Sequence, residues 1–250
     1  SRFAAMARLL AAIGACVSVA AVDPAERLVQ HVLATSKAGD VAAALNTFTD
    51  FSESRGLGMH LGSEKTRLLE LAVNRGLPTS GGPSVVLEFG CHAGDGTLSA
   101  AAALSKRPGS VLVSTEGNHQ WLQAAAKIVQ HATQGTETKI LMLPFKETDV
   151  LHDFLDSLAE KHIKVINTVI FDHDEKLFLP QLKALVARGL LQKGATVYVD
   201  NVKRKAAQLR KYMDHVSTRS GRGFVTEVTR IERPYPDEVA ISTYVGDAEL

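Results

Sequence analysis

Acids collect at two points of the chain where apolar runs end. "VIFDHDEKLFLP", residues 169–180, places Asp172, Asp174 and Glu175 within four positions, with Lys176 directly after them. "ATVYVDN" ends on Asp200 and Asn201. Carboxylates gathered at the end of a buried strand repel one another unless a cation or water stands between them. Asp172, Asp200 and Asn201 are hard oxygen donors of the kind that take Mg²⁺ or Ca²⁺, with water or substrate oxygens completing the shell. Either motif alone can equally cap a turn. Together, at adjacent strand ends, they favour a metal.

Two further runs end on polar residues. "VVLEFGCHAGDGT" carries Gly90, Gly94 and Gly96, which permit a tight turn, let a ligand approach the backbone and lead into a helix with free N–H groups. Such a loop also serves plain packing, and Cys91 within it reads as a small buried thiol. "VLVSTEGN" ends on Glu116, whose carboxylate can accept both hydroxyls of a ribose. An acid beside phosphates is unfavourable, so a nucleoside cofactor without phosphates fits better. S-adenosylmethionine, with a ribose, a sulfonium and an amino-acid tail, meets that requirement.

These ends need a scaffold. "DPAERLVQHVLATS", "VAAALNTFTDFSES" and "SEKTRLLELAVNRG" have helical spacing, the first two each opened by an acid or Asp-Pro and the last with Ser63 as N-cap and Gly76 just past its end. After "LPTSGGP", nearly continuous apolar runs alternate with amphipathic stretches from "SVVLEFG" to "ATVYVDN". The pattern predicts an α/β fold: a mostly parallel sheet with helices on both faces. "GRGFVTEVTRIE" and "EVAISTYVG" predict a closing antiparallel hairpin, and Trp121 and Phe154 read as core. In such sheets ligands bind beyond the carboxyl ends of the strands.

The chain has 250 residues and a formal net charge of +1, which gives no general attraction to nucleic acid. Its one dense basic run, Lys203, Arg204, Lys205, Arg210 and Lys211, reads as a solvated helix face. Two cysteines, Cys16 and Cys91, suggest neither a disulfide framework nor a CxxC metal pattern. Residues 1–22 form an apolar N-terminal segment ahead of one domain over 23–250. It is short for a bilayer span and reads as a signal-like core, a membrane anchor or a partner-docking segment. It points to the secretory pathway, an organelle or a membrane, and the sequence does not choose among these.

From about Arg27 to Gly246 the chain resembles catechol O-methyltransferase and its Mg²⁺-dependent, small-molecule relatives. The matching stretches are "RLVQHVL", "GMHLGSEK", "VVLEFGCHAG", "STEGN", "FDHDEKLFLP", "GLLQKGATVYVDNV" and "AISTY". The resemblance implies a Rossmann-like class I methyltransferase sheet. It implies that Met59, Glu88, Gly90, His92, Gly94, Glu116 and His173 surround S-adenosylmethionine, and that Asp172, Asp200 and Asn201 hold Mg²⁺. The substrate implied is a small molecule with an acceptor hydroxyl, bound to the metal, acidified by it and aligned with the sulfonium methyl.

Several positions depart from the family pattern. The family's proton-accepting lysine comes three residues after the first aspartate, where this chain has Glu175, and Lys176 is one later. Both are catalytic candidates, with Glu175 expected in the lysine's place and Lys176 more exposed. The family's aromatic and proline walls fall on Leu57, Asp174 and the "KRKAA" run, and a family glutamate corresponds loosely to Glu232. The acceptor site therefore reads as rebuilt. Two other classes are weighed. One is a catalytically degenerate accessory subunit of a membrane-associated assembly, docked through residues 1–22. The other is a dinucleotide oxidoreductase, disfavoured because the loop lacks GxGxxG and an Asp-Asn pair has no role there.

Overall fold

Strands such as "VVLEF" and "INTVIF" are apolar at consecutive positions, so both faces of the sheet they form must be covered. A computed structural model describes residues 23–146, 150–220 and 223–246; the apolar segment read over 1–22 lies outside them. Three helices come first: α1 (Pro24–Thr35), α2 (Val41–Arg55) and α3 (Gly62–Gly76). The alternating part follows as β1 (Val85–Phe89), α4 (Asp95–Leu104), β2 (Val111–Glu116), α5 (His119–Ala132), β3 (Lys139–Pro144), α6 (Leu151–Glu160), β4 (Ile166–Phe171), α7 (Phe178–Ala187) and β5 (Leu191–Val199). It closes with α8 (Ala206–Val216) and the hairpin strands β6 (Phe224–Ile231) and β7 (Asp237–Tyr244).

The strand order is β3-β2-β1-β4-β5-β7-β6, parallel from β3 to β5 and antiparallel where β7 joins β5 and β6. This is the Rossmann-like class I sheet. Alternation along each strand divides the core. Val86, Leu112, Ile170 and Tyr198 face α3 and α4, while Leu87, Phe89, Val169, Phe171 and Val197 face α6, α7 and α8. Helices α1 and α2 form an outer layer on α4 and α5. Phe154 is core as expected. No helix among the described residues is long and apolar enough to cross a membrane.

The first two helices start where the sequence signals them: Asp23 and Asp40 accept from Ala25 N and Ala43 N. The third differs. Leu61, not Ser63, precedes α3, and no side chain caps it. Gly76 is its last residue, because a β-carbon there would run into the Asn167 carbonyl and the Thr168 hydroxyl of β4. That glycine serves close helix–sheet packing, not a helix stop.

Candidate active site

The chain runs outward from β1 to β3, then returns to β4 on the other side of β1. Loops after β1 and β4 therefore diverge and leave a crevice at their carboxyl ends. A cleft of about 1140 Å³ opens there. Its walls include Met59, Gly90, His92, Glu116, Trp121, Asp172, His173, Glu175, Asp200, Asn201, Arg204, Lys205 and Tyr235. Most residues singled out from sequence meet in this cleft.

On the β1–β2 side, Gly90 (φ 86°) and Cys91 both donate backbone N–H groups to the Thr115 carbonyl, at 3.0 and 2.9 Å. A β-carbon on Gly90 would collide with the Asp172 carbonyl oxygen, so glycine is what lets the β1 and β4 loops touch. His92 N–H donates to Glu116 Oε2 at 2.9 Å, and Asn118 N–H to Oε1 at 2.7 Å. Each carboxylate oxygen is thus aimed, with a lone pair left for a further donor. The His92 ring packs on Trp121 with centroids 4.0 Å apart, and neither ring nitrogen has a partner among the described residues. Trp121 packs against the core as expected and also forms part of the cleft wall. His173 stacks on Phe89 at 5.5 Å. Burial lowers both histidines to a pKa of about 4, so they are neutral at ordinary pH. Met59, at φ 62° and 73% exposed, stands at the mouth.

Two residues expected around the cofactor do not reach the cleft wall. The alternation of β1 turns Glu88 into the layer beneath the glycine loop, where it accepts from the Thr97 and Ser114 hydroxyls, both at 2.6 Å. Burial pushes its pKa up to about 7. Gly94, at φ 101°, opens α4, where a β-carbon would sit 3.2 Å from Ala125 on α5. Its part is packing between helices.

On the β4–β5 side, Asp172 lines the cleft. Burial first, then Asp200 and Asp95, hold its pKa well above the usual carboxylate range. Asp200 faces a cation that sequence reading missed: Lys65 of α3, fully buried. Its Nζ lies 2.7 and 2.8 Å from the two Asp200 oxygens, 3.3 Å from Asn201 Oδ1 and from the Tyr235 hydroxyl, and 3.5 Å from Asp237 Oδ2. Burial opposes the charge of Lys65, but Asp200 and then Tyr235 raise its pKa above the ordinary value. At Asp200 burial outweighs the lysine, and that pKa is also raised. Among the described residues no three His, Cys, Asp or Glu side chains form a metal-holding group; the third oxygen here is the Asn201 amide.

Glu175 and Lys176 part ways in a short 3₁₀ turn, Glu175–Leu177. Glu175 turns inward, 13% exposed, and pairs with Lys205 Nζ at 3.0 Å. Lys176 is exposed and offers only its backbone N–H, to Asp174 Oδ1. Hence Glu175 is in the cleft wall and Lys176 is not.

The chain is 30% identical over 224 residues to the "Probable O-methyltransferase" of Mycobacterium tuberculosis, covering 87% of this chain and 91% of that protein. The chain belongs to the catechol O-methyltransferase-like family. Catechol O-methyltransferase of Bos taurus is 26% identical over 178 residues, and this chain spans 61% of its length. The human protein named "Transmembrane O-methyltransferase" is 28% identical over 195 residues, of which the chain covers 62%. No family model matches the chain. Two solved structures share the fold at TM-score 0.62. One is a Bacillus cereus O-methyltransferase in complex with SAH (13% identity, 91% of this chain and 93% of that one). The other is TomG of Streptomyces achromogenes in complex with SAM (18% identity, 81% and 89%).

The β5–α8 loop carries a cluster of positive charge, Lys203, Arg204 and Lys205. The run read as a solvated helix face contributes Arg204 and Lys205 to the cleft. Asp237 of β7 holds that loop by accepting from the Lys203 and Arg204 N–H groups at 3.2 and 3.1 Å. Tyr235 lies between Lys65, 4.6 Å from its ring centroid, and the Arg204 guanidinium, 3.9 Å away. Glu232 is exposed, and its backbone N–H donates to Glu64. Lys65 had one legible signal: it falls in phase with Leu68, Leu69, Ala72 and Val73 on the buried stripe of α3.

Proposed function

We propose that this protein binds S-adenosylmethionine between the glycine loop and Glu116 and transfers its methyl group to a hydroxyl of a small molecule held over Asp172, Asp200 and Asn201. The observation that carries the reading is the Glu116 carboxylate, oriented by two backbone N–H groups beside a glycine loop at the switch point of the sheet. Aimed acceptors suit the two hydroxyls of a ribose. Gly90 leaves the backbone open to a ligand, and neutral His92 and His173 offer no charge to repel a sulfonium. The residues fit the cofactor. When bound, it supplies a methyl on positive sulfur, and transfer forms an O–CH₃ bond as the S–CH₃ bond breaks.

A hard divalent ion also fits. Burial and then Asp200 hold the Asp172 pKa up, and Lys65 is bonded to Asp200 but not to Asp172. Asp172, Asp200 and Asn201 would hold the ion, which would supply the charge that acidifies an acceptor hydroxyl. Asp200 accepts on both oxygens from Lys65 and also from the Asn201 backbone and amide N–H groups, at 2.6 and 3.2 Å. An incoming ion therefore competes for oxygens already in use. Of the two candidate bases, Glu175 is the one positioned to take the acceptor's proton. It stands in the wall, with Lys205 against it. The acceptor side of the cleft carries charge from Glu175, Arg204 and Lys205.

Calorimetry of S-adenosylmethionine with and without Mg²⁺ tests this. Binding of the cofactor at micromolar to millimolar concentration is expected. No heat at millimolar cofactor in either buffer would sink the methyltransferase reading, whereas cofactor binding without methyl transfer to any hydroxyl compound would favour the degenerate accessory subunit.

A further inference from the structure

Arg204 is a cation placed and then left unused. Its backbone N–H donates to Asp237 Oδ1 at 3.1 Å, and its guanidinium lies 3.9 Å from the centroid of Tyr235, whose hydroxyl is bonded to Lys65. Main chain and side chain are thus both held, each by a group that is itself held by buried Lys65. Stacking on an aromatic ring occupies the face of a guanidinium and leaves its edge, where the N–H donors lie, free. No carboxylate among the described residues takes that edge. The neighbouring cation differs, because Lys205 is neutralised by Glu175 at 3.0 Å. The cleft wall that includes Asp172, Asp200 and Asn201 therefore also carries an exposed guanidinium with no ion pair among the described residues.

Resting on the methyltransferase reading above, we propose that the acceptor is an anion: a small hydroxylated compound that also carries a carboxylate, which the edge of Arg204 binds while the hydroxyl lies over the acids. A carboxylate matches the paired donors of a guanidinium edge in a way that a neutral amide or ester does not. Arg204 is then a specificity-determining residue. It contributes to binding without touching the reacting oxygen. The free positive charge also offsets the excess of carboxylates on this side, which would otherwise repel an acid.

The test uses protocatechuate, a dihydroxybenzoate, and its neutral amide as probes. Their affinities are measured by calorimetry with the cofactor and Mg²⁺ present, for wild type and Arg204→Gln. Cofactor affinity is measured alongside. Wild type is expected to prefer the acid over the amide by about tenfold or more, and Arg204→Gln to bring that ratio to about one. Both proteins should bind the cofactor alike, since Glu116 and the glycine loop are untouched. Equal wild-type affinities, a preference for the acid that survives Arg204→Gln, or no binding of either probe at millimolar concentration would overturn the anionic acceptor while leaving cofactor binding intact. Failure to bind the cofactor would instead remove the reading on which it rests.

Discussion

Glu116 and Asp200 both close parallel strands of one sheet, yet they are held by different means. Glu116 takes its partners from nearby backbone, His92 and Asn118. Asp200 depends on the ammonium of Lys65, 135 positions earlier in the chain. The β1–β2 half is a construction of loops and main-chain hydrogen bonds, which a local sequence can specify. The β4–β5 half is a balance of buried charge, where Lys65 pairs with Asp200 and Asp237 and reaches Asp172 only at longer range. The first half tolerates side-chain change wherever the backbone path survives. The second loses its balance when one charge is removed.

The sharpest break of that contrast removes Lys65. Lys65→Met should destabilise the fold by about 3–5 kcal/mol, because two buried carboxylates lose their counter-charge. Urea denaturation reads this, and a loss below about 1 kcal/mol would mean that the acids simply take up protons.

Glu88 gives the next effect, through pH. Its folded pKa of about 7 lies above the ordinary 4.5, so the folded state holds a proton that the unfolded state has released. Stability from this group is full below pH 4.5 and is lost as pH rises towards 7, on the order of 3 kcal/mol in all. Asp95, raised to about 6, acts in the same direction. His92 and His173, lowered to about 4, act oppositely, their stability being lost as pH falls from 6.5. The informative measurement is therefore the difference in unfolding free energy between wild type and Glu88→Gln across pH 4–8. A difference that does not change with pH would show that folding leaves the Glu88 pKa where it is in the unfolded chain.

On the cofactor half, Glu116→Ala should cost about 1–3 kcal/mol of S-adenosylmethionine affinity by calorimetry, with little change in fold stability. Unaltered affinity would move the ribose away from the β2 end. The smallest effect is expected at Lys176, which is exposed and outside the cleft wall. Lys176→Ala should shift stability by no more than about 0.5 kcal/mol. If instead methyl transfer to a hydroxyl acceptor fell by orders of magnitude in this variant, Lys176 would be the base and the turn would move during turnover.

The alternation of apolar runs and amphipathic stretches was enough to read the parallel sheet, the closing hairpin and the four strand ends, because period and composition are local properties. The Asp caps of α1 and α2 were legible for the same reason. Gly76 misled because its position answers to β4, which no local window contains. Glu88 and Gly94 sit under the loop, not in the cleft, through strand alternation and helix packing. That Trp121, Arg204 and Lys205 also border the cleft was not legible, because amphipathic spacing tells which face is apolar, not whether that face borders a cleft.

By itself the sequence determined the class of fold, the family and the polar residues at the strand ends. Tertiary structure alone decided which charges meet. It buried Lys65 against Asp200, turned Glu175 inward onto Lys205 and Lys176 outward, and set Arg204 on Tyr235 with its edge free. The physical reason is range. Hydrogen-bonding and hydrophobic periodicity are written within a few residues, whereas the energy of a buried charge depends on every group that the fold brings within a few ångströms of it.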